Sequence, residues 1–202
     1  LCDVIGPRLS GSDNLAEAVR FTAEVARENG ADLVRTEFVK VPHWVRGEES
    51  VELLAPRRER LAMLGLGNSV GTPESGVTAD VVVVRDFDEL DRRAGEVSGK
   101  IVLFDARMPP FDEERGSGYG ETVTYRTNGA SRAAQHGAVG VLVRSVTARS
   151  LATPHTGMLR YAPGTPEIPA AALSVEDTEM LARLAADGHR VRVRLHMEAH
   201  FE

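Results

Sequence analysis

His196-Met197-Glu198-Ala199-His200 sets two imidazoles and a carboxylate in one pentapeptide, side chains of the kind that hold zinc. A metallopeptidase helix carries His-Glu-x-x-His, with both rings on one face and the glutamate as base, and here the glutamate stands in the wrong place. The segment also alternates as a strand does, which would part the two rings by about 13 Å, beyond the reach of one ion. It reads as an exposed strand face. His136 falls at a helix C-terminus, where the dipole favours a cation, and His189 adjoins the Gly188 turn; both read as structural or solvated. Cys2 is the sole cysteine, so neither an internal disulfide nor a cysteine-based zinc cage can form.

The glycine-rich segments offer no phosphate cradle. Gly65-Leu66-Gly67-Asn68-Ser69-Val70-Gly71 has one residue too many for a dinucleotide fingerprint, and no helical pattern follows it. Gly116-Ser117-Gly118-Tyr119-Gly120 follows a loop rather than a strand, and both segments read as turns. There is no Gly-x-Ser-x-Gly elbow to expose a nucleophile. Two loop clusters remain as candidate contact surfaces. One is His43, Trp44 and Arg46, after Pro42. The other is His155 in Thr153-Pro154-His155-Thr156-Gly157, with Arg160 and Tyr161 beyond it. Loops held by a rigid body often carry ligand or domain contacts, and Trp, Tyr and Arg are common anchors. These six residues are candidates for a substrate or domain interface, and none is assigned a catalytic or metal role.

The elements that must position them alternate between the two kinds. A helix starts near Asn14, with Asn14-Leu15-Ala16-Glu17 as a capping box and Ser12 and Asp13 as competing caps. Its apolar stripe is Leu15, Ala18, Val19, Thr22, Val25 and Ala26, and Gly30 ends it. Leu33–Val41 alternates as a strand, though neither side is purely apolar. Short strands are expected at Val51–Leu54 and Leu61–Leu64, and a strand buried on both faces at Val81–Val84. Asp86 opens a short helix. Lys100–Phe104 is a further strand, Met108–Gly120 a loop, and Tyr119–Tyr125 regains strand character. A helix of small residues is expected at Ala130–His136, then strands at Val139–Arg144 and Ile168–Leu173 around a second long loop. Ser174 caps a last helix, and Val191–Ala199 alternates cleanly. The order gives a mixed α/β fold.

Composition narrows the partners. The chain is 42% hydrophobic and 27% charged, ordinary values for a folded protein. A formal net charge of −6 argues against a nucleic-acid partner. Arg57, Arg58 and Arg60, the densest basic run, are interrupted by Glu59 and lack an aromatic stacking platform. No apolar run is long enough to span a membrane. The chain opens at Leu1 with no basic region ahead of an apolar block, and it reads as cut from something longer.

Ile5-Gly6-Pro7-Arg8-Leu9-Ser10-Gly11-Ser12, then Val41-Pro42-His43-Trp44-Val45-Arg46-Gly47-Glu48-Glu49, and Ala130-Ser131-Arg132-Ala133-Ala134-Gln135-His136-Gly137-Ala138 together carry a resemblance. The chain resembles secreted zinc metallo-exopeptidases of the carboxypeptidase Q and glutamate carboxypeptidase kind, and Gly99–Ser145 resembles the core of their protease-associated (PA) domain. The resemblance implies a PA body of β/β/α type inserted between two strands of an incomplete peptidase domain. It places the peptidase helix and strand at 1–45, the PA domain at 46–188 and a returning strand at 189–202.

What the resemblance implies for chemistry lies mostly outside the chain. In that family the zinc ligands follow the PA insert, the first in a His-x-Asp motif, and no histidine here is followed by x-Asp. The segment is therefore expected to be non-catalytic, without a cofactor of its own, beside a parent enzyme in which zinc ions activate water to cleave a terminal peptide bond. Its PA body would shape or cover the substrate cleft. The implied partners are the rest of the peptidase domain and a peptide substrate, with secretion or periplasmic export. Leu33–Val41 and Arg190–Phe201 would be neighbouring antiparallel strands, a hairpin whose open edge favours self-association in the isolated segment. The alternative is a free-standing PA-type module that binds peptides or proteins.

Overall fold

Ser12, rather than Asn14, opens the first helix: its hydroxyl accepts from the Leu15 N–H at 3.2 Å, while Asn14 donates its side-chain amide to the Pro7 carbonyl. The computed structural model describes residues 1–149 and 151–202. The chain divides into two compact units, Leu1–Val45 with Phe201–Glu202, and Arg46–His200.

The first unit contains helix α1 (Asp13–Glu28) and strand β1 (Trp44–Val45). Leu33–Val41, expected as a strand, joins no ladder, and Leu33, Phe38, Val39 and Val41 are exposed. Its alternation gives no purely apolar side, and backbone without a neighbouring strand must satisfy its polar groups elsewhere. β1 instead pairs with β10 (His200–Phe201), the strand in which the division between the units falls. The Glu202 N–H donates to the His43 carbonyl at 2.9 Å.

The second unit is built on a mixed sheet. Its strands are β2 (Glu49–Ala55), β3 (Glu59–Leu61), β4 (Met63–Gly65), β5 (Val77–Val84), β6 (Ile101–Phe104), β7 (Gly140–Arg144), β8 (Ala170–Leu173) and β9 (Arg192–Met197). They run in the order β3-β2-β9-β5-β6-β7-β8-β4. β5 has two partners along its length: Val77–Asp80 pair antiparallel with β9, and Val81–Val84 pair parallel with β6. β3 and β4 lie at opposite ends of this order, yet only Ala62 separates them in the chain. A sheet whose first and last strands are joined through one residue must curl until it is nearly closed.

Three strand expectations change. Val81–Val84 is buried on one face only, through Val82 and Val84, because its other face is partly covered. β9 is no hairpin partner of Leu33–Val41; it lies between β2 and β5, with Val193, Leu195 and Met197 fully buried. Both edges of β9 are thus paired. Tyr119–Tyr125 is not extended but begins helix α3 (Tyr119–Ala134), which also takes in the helix expected from Ala130. Its threonines and tyrosines favour strands locally, but Thr122, Arg126, Gly129, Ala130 and Ala133 form one buried stripe at helical spacing, and packing decides.

Helices α2 (Phe87–Arg92), α3 and α4 (Val175–Ala186) complete the unit. Asp86 caps α2 and Ser174 caps α4, each through a side chain accepting from the N–H three residues on. β6, β7 and β8 are buried along their whole lengths. The core includes Val82, Val102, Phe104, Ala130, Ala133, Val141 and Ala172. Phe104 packs edge-on to Phe87 at 5.5 Å between centroids and against Tyr125 at 5.8 Å.

Candidate functional site

Among the described residues, one buried charged side chain of the second unit has no counter-ion. Arg126 is 8% exposed, and its Nε and Nη1 are buried without a hydrogen-bond acceptor among the described residues. Only Nη2 is engaged, donating to the Tyr119 hydroxyl at 2.8 Å. Arg144 is buried to the same 8% but is held by two carboxylates, with Nη1 donating to Asp105 and Nη2 to Glu179, both at 2.7 Å. Desolvating a guanidinium is costly unless acids and hydrogen bonds compensate, and orphaned buried donors usually await a water or a ligand. Among the described residues, one buried arginine is met by carboxylates and the other is not.

Helix α3 creates this arrangement. Tyr119 and Arg126 are seven residues apart, which on a helix is two turns along one face and roughly 10 Å. The segment His155–Gly157 lies over the guanidinium: a Cβ on Gly157 would stand 2.5 Å from the Arg126 Cζ and 2.8 Å from its Nε. Only glycine permits so close an approach. The His155 N–H donates to the Ser145 hydroxyl at 2.7 Å, and its ring meets the Tyr119 ring edge-on at 6.5 Å.

Of the six residues singled out from sequence, two belong to the first unit and four to the second. In the first unit, Trp44 is buried in β1, and His43 lies 3.5 Å from Glu202 beneath Gly11. In the second, Arg46 donates to Glu49 at 3.1 Å and to the Gly65 carbonyl at 2.8 Å, where Thr156 also donates. That arrangement staples the loop before β2 to β4. His155 belongs to the Arg126 cluster. Arg160 is exposed at a groove of about 440 Å³ lined with Phe87, Thr124, Asn128 and Arg132. Tyr161 lines the same groove; its hydroxyl donates to the Ile168 carbonyl at 2.7 Å and accepts from the Val70 N–H, and burial pushes its phenol up.

Sequence reasoning missed Arg126 and Tyr119 because it read them across a strand boundary. On a strand, residues seven apart face opposite sides and are roughly 23 Å distant. The available signal was the helical stripe Thr122, Arg126, Gly129, Ala133, with an arginine where an apolar residue belongs.

Among the described residues, no group of three or more histidines, cysteines, aspartates or glutamates could hold a metal ion. The donor set present here thus does not fit a zinc centre. His196 is in β9, with its Nδ1 buried and without a hydrogen-bond partner among the described residues, and His200 is in β10. No helix among the described residues is long and apolar enough to cross a membrane.

Residues 72–181 match the PA domain family. The chain is 46% identical over 199 residues to carboxypeptidase Q of Mus musculus and 47% identical to carboxypeptidase Q of Homo sapiens. Each alignment covers 98% of the chain but 41% and 40% of the relative, so the chain spans about two fifths of their length. The crystal structure of a peptidase M28 precursor from Shewanella amazonensis superposes with a TM-score of 0.90 at 33% identity, over 100% of this chain and 45% of that one. A zinc aminopeptidase from Bacillus subtilis shares the fold, with a TM-score of 0.61 at 20% identity over 98% of this chain and 41% of that one.

Proposed function

The chain belongs to the PA domain family, and from that premise we propose that it is the PA-bearing segment of an exported zinc exopeptidase, in which it recognises the carboxylate end of a peptide rather than cleaving it. The observation that carries this reading is Arg126, a buried cation whose Nε and Nη1 lack acceptors. A peptide C-terminus supplies an anion that could compensate this charge, and an amidated end does not. The likeness to carboxypeptidase Q over 98% of the chain supports the peptidase setting. In this reading zinc and the groups that activate water belong to the rest of the parent. The segment's part is to bind and orient the chain end, with the His155–Gly157 segment covering the guanidinium and shaping the cleft.

Arg126→Leu in the full-length parent tests the reading, with peptides that differ only in a free or amidated C-terminus. Loss of a buried charge pair with substrate lowers kcat/KM for the free acid by about 100-fold and leaves the amide nearly unchanged. The variant's thermal midpoint should be no lower than the wild type's, because the substitution removes an uncompensated charge. Equal loss on both substrates, or none on either, would refute carboxylate recognition.

A further inference from the structure

We propose that the open groove between α3 and the Arg160–Ala162 segment binds an acidic peptide segment of a partner protein, whose carboxylates meet the exposed guanidinium of Arg160. The inference stands apart from the reading of Arg126 and does not depend on it.

One wall of the groove is a single face of α3. Thr124, Asn128, Ser131 and Gln135 follow one another at helical spacing, and the amides of Asn128 and Gln135 are exposed. The other wall is irregular backbone pinned at successive residues. The Arg160 N–H donates to the Thr127 carbonyl at 2.9 Å, and the Ala162 N–H donates to the Ser131 hydroxyl at 2.8 Å. Between them the Tyr161 hydroxyl is bonded to Val70 and Ile168. The backbone that presents Arg160 is thus set before any ligand arrives, which lowers the cost of binding one.

Two guanidinium groups line this groove of about 440 Å³, and among the described residues no carboxylate does. The two are not equivalent. Arg132 donates to Asp91 at 2.7 Å and lies 4.8 Å from the Phe87 ring centroid, so α2 holds and neutralises it. Arg160 has no ion pair and no side-chain hydrogen bond among the described residues. In a chain of formal net charge −6, an unpaired cation flanked by amide donors is a local site for anions. A lone small anion would leave most of the groove empty. Thr124 to Gln135 spans roughly 16 Å of helix, the length of about five residues of extended peptide. Clustered arginines in such a setting recognise acidic motifs.

The probe is a hexaglutamate peptide, labelled with fluorescein at its N-terminus and amidated at its C-terminus. It carries carboxylates but offers no free chain end to Arg126. Anisotropy with the full-length parent at low salt should give a dissociation constant of about 10–100 μM, as for a small, weak interface. Arg160→Glu should weaken binding by about tenfold, and Gln135→Glu on the facing wall by about threefold, while Arg160→Lys stays close to wild type. The thermal midpoint of both Arg160 variants should be unchanged, because the side chain is exposed and unpaired. Arg58→Glu makes the same change of charge on an exposed residue outside the groove and should leave binding as it was. The proposal is overturned if hexaglutamate does not bind, if a hexaglutamine peptide binds equally well, or if Arg58→Glu weakens binding as much as Arg160→Glu. Arg126→Leu should leave this binding untouched, so the two readings fail separately.

Discussion

Arg126 and Arg144 are equally buried and oppositely treated: carboxylates meet Arg144, and among the described residues none meets Arg126. The hydrogen bond from Arg144 holds the Glu179 carboxyl below the usual glutamate range, with further help from the charges of Arg107 and Arg183. A carboxyl depressed in the folded state stabilises the fold fully above its unfolded value of about 4.3 and loses that contribution as pH falls through the lower folded value. Thermal midpoints measured from pH 5 downward should therefore drop in acid, and Glu179→Gln should make the drop shallower. An identical acid limb in that variant would remove Glu179 from the account. None of these pairings could be read from the sequence, since Arg144 and Glu179 are distant in the chain and meet only when α4 packs beside β7. His155 could be picked out because its loop composition is local, whereas Arg126 and Tyr119 could not while their segment was read as extended.

Among the elements, α3 shows how tertiary packing overrides local preference. Thr122, Val123, Thr124 and Tyr125 favour a strand, and the helix exists because its small residues let it approach β6. Gly129 marks the closest point: a Cβ there would stand 2.9 Å from the Phe104 Cε2. Helix propensity alone would make Gly129→Ala stabilising by about 1 kcal/mol. Phe104 is confined by Phe87 and Tyr125, so the clash should outweigh that gain. We expect Gly129→Ala to lower stability in chemical denaturation and Gly129→Val to lower it by several kcal/mol; an alanine variant more stable than wild type would mean that the ring yields. Elements whose signals are local were readable: Asp86 and Ser174 as caps, and β6, β7 and β8 as apolar runs. The strand expected at Leu33–Val41 was not, because alternation states which faces differ but not whether a neighbouring strand is there.

For the whole molecule, the decisive strand is the last long one. β9 lies between β2 and β5 with three fully buried side chains, so a chain ending at Gly188 would lose the link between the two halves of the sheet. Such a truncation should abolish cooperative unfolding followed by circular dichroism, whereas deleting residues 1–45 should preserve it, because the core cluster lies wholly within Arg46–His200. A cooperative melt from the chain ending at Gly188 would contradict this view of the sheet. The boundaries of that unit hold a further consequence. The Glu198 N–H donates to the Glu48 carbonyl at 3.0 Å, and the Glu48 N–H donates to the Glu198 carboxylate at 2.9 Å, so the unit is clasped close to both of its ends. A body whose two ends meet can be spliced into a surface turn of another protein with little stretching of the recipient, and can be excised leaving a gap no wider than a hairpin. The clasp gives it the character of a cassette, portable between hosts while its interior stays as it is.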